Sequence, residues 1–158
     1  MACQILKKGS SIPIYLVQSL VLAHPEGLKE TDDDSMSGSL PLHLICESFR
    51  RRHQNLNVWR VGGSGEEHRV FVSERLQVLK IVLTAYPDAT HIRDNRGRMP
   101  LHNAVLARAP VEAIRLLVHR DPQVVSLPDK DGSSPFYLAT KMYASDSPVM
   151  ILLKQAWI

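Results

Sequence analysis

Asp94-Asn95-Arg96-Gly97-Arg98-Met99-Pro100-Leu101-His102-Asn103-Ala104 is the stretch whose reading decides the fold. It joins a turn to a Pro suited to a helix's first position, then sets a His directly after an apolar Leu. The phrase recurs at Gly132-Ser133-Ser134-Pro135-Phe136-Tyr137-Leu138-Ala139 and at Gly38-Ser39-Leu40-Pro41-Leu42-His43-Leu44-Ile45. Gly97 and Gly132 are 35 residues apart, whereas Gly38 and Gly97 are 59 apart, one period plus a surplus of 24. Repetition of this kind points to a structural unit used several times over.

A second pattern runs between the phrases. Val111, Ile114, Leu117 and Val118 match Leu76, Leu79, Val82 and Leu83 at an offset of 35, and Ile14, Val17, Leu20 and Val21 at an offset of 97. The spacing i, i+3, i+6, i+7 is one face of an amphipathic helix. Pro25, Pro87 and Pro122 close these segments, because Pro cannot continue a helix. Each unit therefore reads as a turn, a short first helix, a link and a second helix. The expected first helices are Pro41–Phe49, Pro100–Arg108 and Pro135–Met142. The expected second helices are Pro13–Ala23, Glu74–Ala85, Pro110–Arg120 and Pro148–Trp157. Gly97 and Gly132 suit turn positions with positive φ.

These units resemble the ankyrin repeat, whose motif Asp-x-x-Gly-x-Thr-Pro-Leu-His-x-Ala is met closely by Asp94–Ala104 and by Asp129–Ala139. The resemblance covers residues 12–158 apart from the insert. It implies a single all-α domain, an ankyrin-like solenoid of stacked helix-turn-helix repeats. Its parts are a partial first repeat at 12–34, a repeat at 35–94 carrying the insert at about 50–72, a repeat at 95–129 and a last repeat at 130–158. The variant is divergent: Leu40, Met99 and Ser134 stand for the motif's Thr, Tyr137 for its His and Ile45 for its Ala. The turn before Gly38 is also three residues longer.

The 24-residue surplus falls between the two helices of the 35–94 unit. Val58-Trp59-Arg60-Val61 and His68-Arg69-Val70-Phe71-Val72 alternate around Gly62-Gly63-Ser64-Gly65, which predicts a β-hairpin, with a disordered loop as the alternative. The formal net charge of +3 sits in this segment. Residues 50–72 hold Arg50, Arg51, Arg52, Arg60 and Arg69 against Glu66 and Glu67, and the rest of the chain is balanced. Arg50, Arg51, Arg52, Trp59 and Arg60 thus form the one candidate for nucleic-acid binding by charge and stacking. The bland account is a solvated helix end whose cations complement the helix dipole.

Chemistry is otherwise sparse. His43 and His102 have no second metal ligand at i+3 or i+4, and the resemblance implies that they bond to neighbouring turn backbone. Asp32-Asp33-Asp34 lacks the alternation of a calcium loop, and Gly62-Gly63-Ser64-Gly65 lacks the Lys-Ser/Thr of a phosphate loop. No catalytic residue, metal site or cofactor is expected, so the chain reads as no enzyme. Two cysteines, Cys3 and Cys46, cannot make a disulfide framework and favour a reducing compartment, cytoplasmic or nuclear. Lys7-Lys8 before Ile12–Ala23 looks like a signal peptide, but Pro13, Gln18 and Ser19 interrupt it, and the helix repeat accounts for it better. No run of 18 apolar residues is present, so no membrane span is expected.

The function expected from the resemblance is a protein–protein interaction module or scaffold. In ankyrin proteins partners meet the turn tips and the groove of the first helices. Those positions here are Asn95, Arg96, Arg98, Asn103 and Leu106, followed by Lys130, Asp131 and Ser133 in the next unit. Arg96, Arg98 and Lys130 read as a cationic strip that favours an acidic partner segment. The alternatives are nucleic-acid binding through the insert and self-association through the apolar C-terminal helix. Leu152, Leu153, Trp157 and Ile158 would be exposed there unless they pack back, meet another chain or meet further repeats.

Overall fold

The computed structural model describes residues 14–31, 37–50 and 65–157. The described residues contain seven α-helices and no strand. They are α1 (Ile14–Ala23), α2 (Pro41–Glu47), α3 (Gly65–Ala85), α4 (Pro100–Leu106), α5 (Val111–Arg120), α6 (Pro135–Met142) and α7 (Pro148–Ala156).

The prolines place the helix ends. Pro41, Pro100, Pro135 and Pro148 each occupy the first helical position, where the absent N–H would have had no partner. Pro25, Pro87 and Pro122 each lie just beyond α1, α3 or α5, and each opens a short 3-10 turn. The same punctuation therefore gives the same local structure three times.

The helices pack in two rows. α2, α4 and α6 contact one another in sequence, and α1, α3, α5 and α7 form the second row. Within each unit the first helix lies on the second: α2 on α3, α4 on α5, α6 on α7. The core is the seam between the rows. Leu42, Ile45, Leu101 and Val105 enter it from the first row, and Leu79, Val82, Ile114, Leu117 and Leu153 from the second. All are essentially inaccessible to solvent, which for a Leu or Ile contributes about 1.5–3 kcal/mol of burial each.

α4 turns into α5 through a left-handed residue. Arg108 has φ 53°, its amide donates to the Val105 carbonyl at 3.0 Å, and the Ala109 amide donates to Ala104 at 3.0 Å. This is a Schellman end closed by Arg where Gly is usual.

One expectation needs correction. His68–Val72, expected as the second hairpin strand, lies inside α3, so no hairpin forms with it. Val72, Leu76, Leu79 and Leu83 continue the helical face backwards through this segment, and that period outweighs the local alternation. Val58–Val61, the other expected strand, lies outside the described residues, as do Asp32–Asp34. The C-terminal helix packs back in part, one of the alternatives expected for it, while Ile151 and Trp157 stay about half exposed. Leu153 is fully buried, Leu152 is half-buried against the core, and the Trp157 ring sits 4.6 Å from the Phe136 ring. Ile158 lies outside the described residues.

Candidate functional site

The turn tips before α4 and α6 are built alike. Asp94 Oδ1 accepts the Arg96 and Arg98 amides at 2.8 and 2.9 Å, and Asp129 Oδ1 accepts those of Asp131 and Ser133 at 3.0 and 2.9 Å. Each turn is closed by a pair of backbone bonds, Asp94 to Arg98 and Gly97 to Asp94, matched by Asp129 to Ser133 and Gly132 to Asp129. Gly97 and Gly132 have φ 73° and 77°, the left-handed region an L side chain resists. An Asp at the start and a Gly three residues on are therefore what this loop requires.

The tips are tied to one another in a row. The Asn95 amide donates to Ser37 O at 2.8 Å, and the Lys130 amide donates to Arg96 O at 3.2 Å. Lys130 Nζ reaches back to Asn95 O at 2.9 Å. Arg93 Nη1 bridges Gly97 O at 2.7 Å and Pro128 O at 2.5 Å. The sequence did not single out Arg93, whose position in the following unit is Pro128, so repetition carried no signal for it.

Two histidines lock the same row from beneath. His43 Nδ1 accepts the Leu40 amide at 3.2 Å, which leaves the ring proton on Nε2 to donate to the Arg98 carbonyl at 3.0 Å. His102 repeats this, taking the Met99 amide at 3.2 Å and donating to Ser133 O at 3.0 Å. Both rings are fully buried. Burial pushes both imidazoles below their usual pKa, more than the carbonyl bonds and the carboxylates of Asp94 and Asp129 raise them. Each ring is a neutral hydrogen-bonding bridge between one turn and the next.

The structure divides the expected partner residues. Arg96 and Lys130 are exposed on neighbouring tips, with Asn95 and Asp131 beside them. Among the described residues the Arg96 guanidinium has no hydrogen bond or ion pair. Arg98 behaves otherwise. Its side chain is only 21% exposed, with Nε 3.3 Å from Asp129 Oδ2 and Nη2 3.8 Å from Asp131 Oδ2. Burial alone would raise the Asp129 carboxyl, but the Ser133 amide, Arg98 and the Asp131 amide outweigh it and hold the group below the usual range. Arg98 thus serves the stack internally, and the expected strip of three cations is reduced to Arg96 and Lys130. Ser133 is half-buried and gives its carbonyl to His102. Asn103 and Leu106 are half-buried on α4.

Of the basic insert, Arg50 is exposed just after α2, while Arg51, Arg52, Trp59 and Arg60 lie outside the described residues. Cys46 is buried, and burial drives its thiol pKa far above the usual value. Among the described residues no group of three His, Cys, Asp or Glu is placed to hold a metal ion, and no helix is long and apolar enough to cross a membrane. No protein-family model and no curated protein matches the chain.

Proposed function

We propose that the chain is a non-catalytic protein-interaction module, an ankyrin-like solenoid whose stacked turn tips receive an acidic segment of a partner protein. The observation that carries this reading is the row of tips. Backbone bonds fix successive tips against one another, so the exposed Arg96 and Lys130 side chains start from a pre-ordered frame. A partner segment laid along them pays little for ordering the receptor, and charge complementarity sets its register. Leu106 and Asn103, half-buried on α4, are the first-helix positions this reading adds to the tips.

The test is a selection of random peptides on the immobilised full-length chain. Enrichment of Asp/Glu-rich peptides, abolished by Arg96→Glu at unchanged thermal stability, is the expected result. Arg98→Glu is the wrong variant for this purpose, since it would place a carboxylate against buried Asp129. Peptides recovered without charge preference, or bound equally by Arg96→Glu, would remove the tip row as the site.

A further inference from the structure

The two tips exchange charged side chains across the junction between them. Lys130 belongs to the turn before α6, but its stem lies on Gly97, where a Cβ would sit 2.8 Å from Lys130 Cγ. Its ammonium donates to Asn95 O at 2.9 Å, so the cation is carried back onto the turn before α4. Arg98 runs the other way. It starts in the turn before α4, and its guanidinium reaches Asp129 at 3.3 Å and Asp131 at 3.8 Å in the turn before α6.

The exchange sorts the exposed charges by sign. The α4 tip keeps the Arg96 guanidinium and gains the Lys130 ammonium, both on exposed residues. Its one carboxylate, Asp94, is buried and occupied by the Arg96 and Arg98 amides. The α6 tip gains Arg98, but buried Asp129 takes that guanidinium at the shorter distance. The Asp131 carboxylate is 77% exposed and meets Arg98 only at 3.8 Å, beyond hydrogen-bonding distance. Among the described residues it makes no ion pair with Arg96 or Lys130. Arg93 lies between the tips, with Nη1 on the carbonyls of Gly97 and Pro128. Solvent therefore meets two cations on the α4 tip and a carboxylate on the α6 tip.

Resting on the partner-binding reading above, we propose that Asp131 sets the specificity of the tip row. The segment the row receives is of mixed charge: its carboxylates lie over Arg96 and Lys130, and a Lys or Arg lies over Asp131. A uniformly acidic segment sets a carboxylate against Asp131, and like charges juxtaposed across an interface oppose binding. A mixed segment meets opposite charge at both tips, and sliding it by one unit puts a wrong sign on a tip. Asp131 thus fixes the register that Arg96 and Lys130 alone leave open. Because Asp131 is exposed, its effect is that of a screened surface pair, about two- to fivefold in affinity.

Peptides selected from a random library on the immobilised full-length chain test this. Each recovered peptide is then titrated against the parent chain and against Asp131→Asn, with thermal melts of both chains. The turn uses the Asp131 amide, which every substitution here retains. The expected result is an Asp/Glu cluster with a Lys or Arg at a fixed offset from it. Replacing that base by Ala should weaken binding to the parent about two- to fivefold and make no difference on Asp131→Asn. Selection on Asp131→Lys should return acidic peptides without the base. Acidic peptides lacking a fixed base on the parent chain overturn the proposal, as does a base whose loss costs the same on both chains. In either case the acidic-segment reading stands if Arg96→Glu still abolishes binding. Peptides recovered without charge preference remove both.

Discussion

α4 and α6 begin on the same phrase 35 residues apart and are held differently. At α4, His102 is fully buried, takes the Met99 amide on Nδ1 and donates from Nε2 into the next turn. At α6, the Ser134 hydroxyl takes over the capping and accepts the Tyr137 amide at 3.2 Å, and Tyr137 points outward beneath the Lys141 ammonium, 4.3 Å from the ring centroid. One imidazole does two tasks in α4, fixing its own helix start and gripping its neighbour. In α6 a serine does the first task and no residue does the second. Capping and stacking are thus separable: among the described residues the imidazole combines them at α2 and α4, where it meets Arg98 O and Ser133 O.

The largest expected effect comes from removing the bridge. His102→Ala leaves a cavity with the Met99 amide and Ser133 carbonyl unmatched inside it, and should cost about 3–5 kcal/mol. Tyr137→Ala should cost under about 1 kcal/mol, since that ring is exposed. Urea denaturation of the two variants breaks the comparison if the losses are equal.

Next in size are the glycines. Gly97→Ala would bring a Cβ within 2.8 Å of the Lys130 side chain and 2.9 Å of its backbone nitrogen, whereas Gly132→Ala meets open space. Both pay the left-handed penalty of about 1–2 kcal/mol, so the excess loss in Gly97→Ala measures how firmly the next turn is seated.

Acid should act on the bridges and spare α6. His43 and His102 have folded pKa values below the unfolded value of 6.5. Their contribution is therefore present above the unfolded pKa and is lost as pH falls through it toward the folded values. Melting temperature should drop on acidification below about pH 6.5, with a shallower slope in His102→Gln. Tyr137→His should leave the slope near that of the parent, because this position is 47% exposed and burial does not depress its pKa as it does those of His43 and His102.

The smallest effect is at the far ends of the two helices. α4 closes on left-handed Arg108, while α6 closes on extended Tyr143 at φ −125°. Arg108→Gly should stabilise by about 0.5–1 kcal/mol, and Tyr143→Gly should destabilise, also through loss of the phenol's 3.4 Å reach to Val105 O. Thermal melts resolve the opposite signs.

Much of this was legible because the chain repeats itself. The matched prolines located helix starts and stops to within a residue or two, and the shared i, i+3, i+6, i+7 positions named most of the buried face of α3 and α5. Repetition failed where the chain departs from it. Residues 68–72 lie in the surplus stretch, where two alternating valines looked like a strand, and the helical face they share with Leu76 and Leu79 was the stronger constraint. The pairing of Arg98 was illegible for another reason. Counting it as a surface cation treated one turn in isolation, but stacking the 35-residue units places Asp129 of the next turn beside it.

The histidine bridges also have a spectroscopic consequence. Each places one Nε2–H, buried and bonded to a carbonyl, at a single junction between units. Such protons exchange with water only when their own junction opens. Two downfield imidazole resonances would therefore time the opening of two neighbouring junctions separately, in one sample and without any label attached.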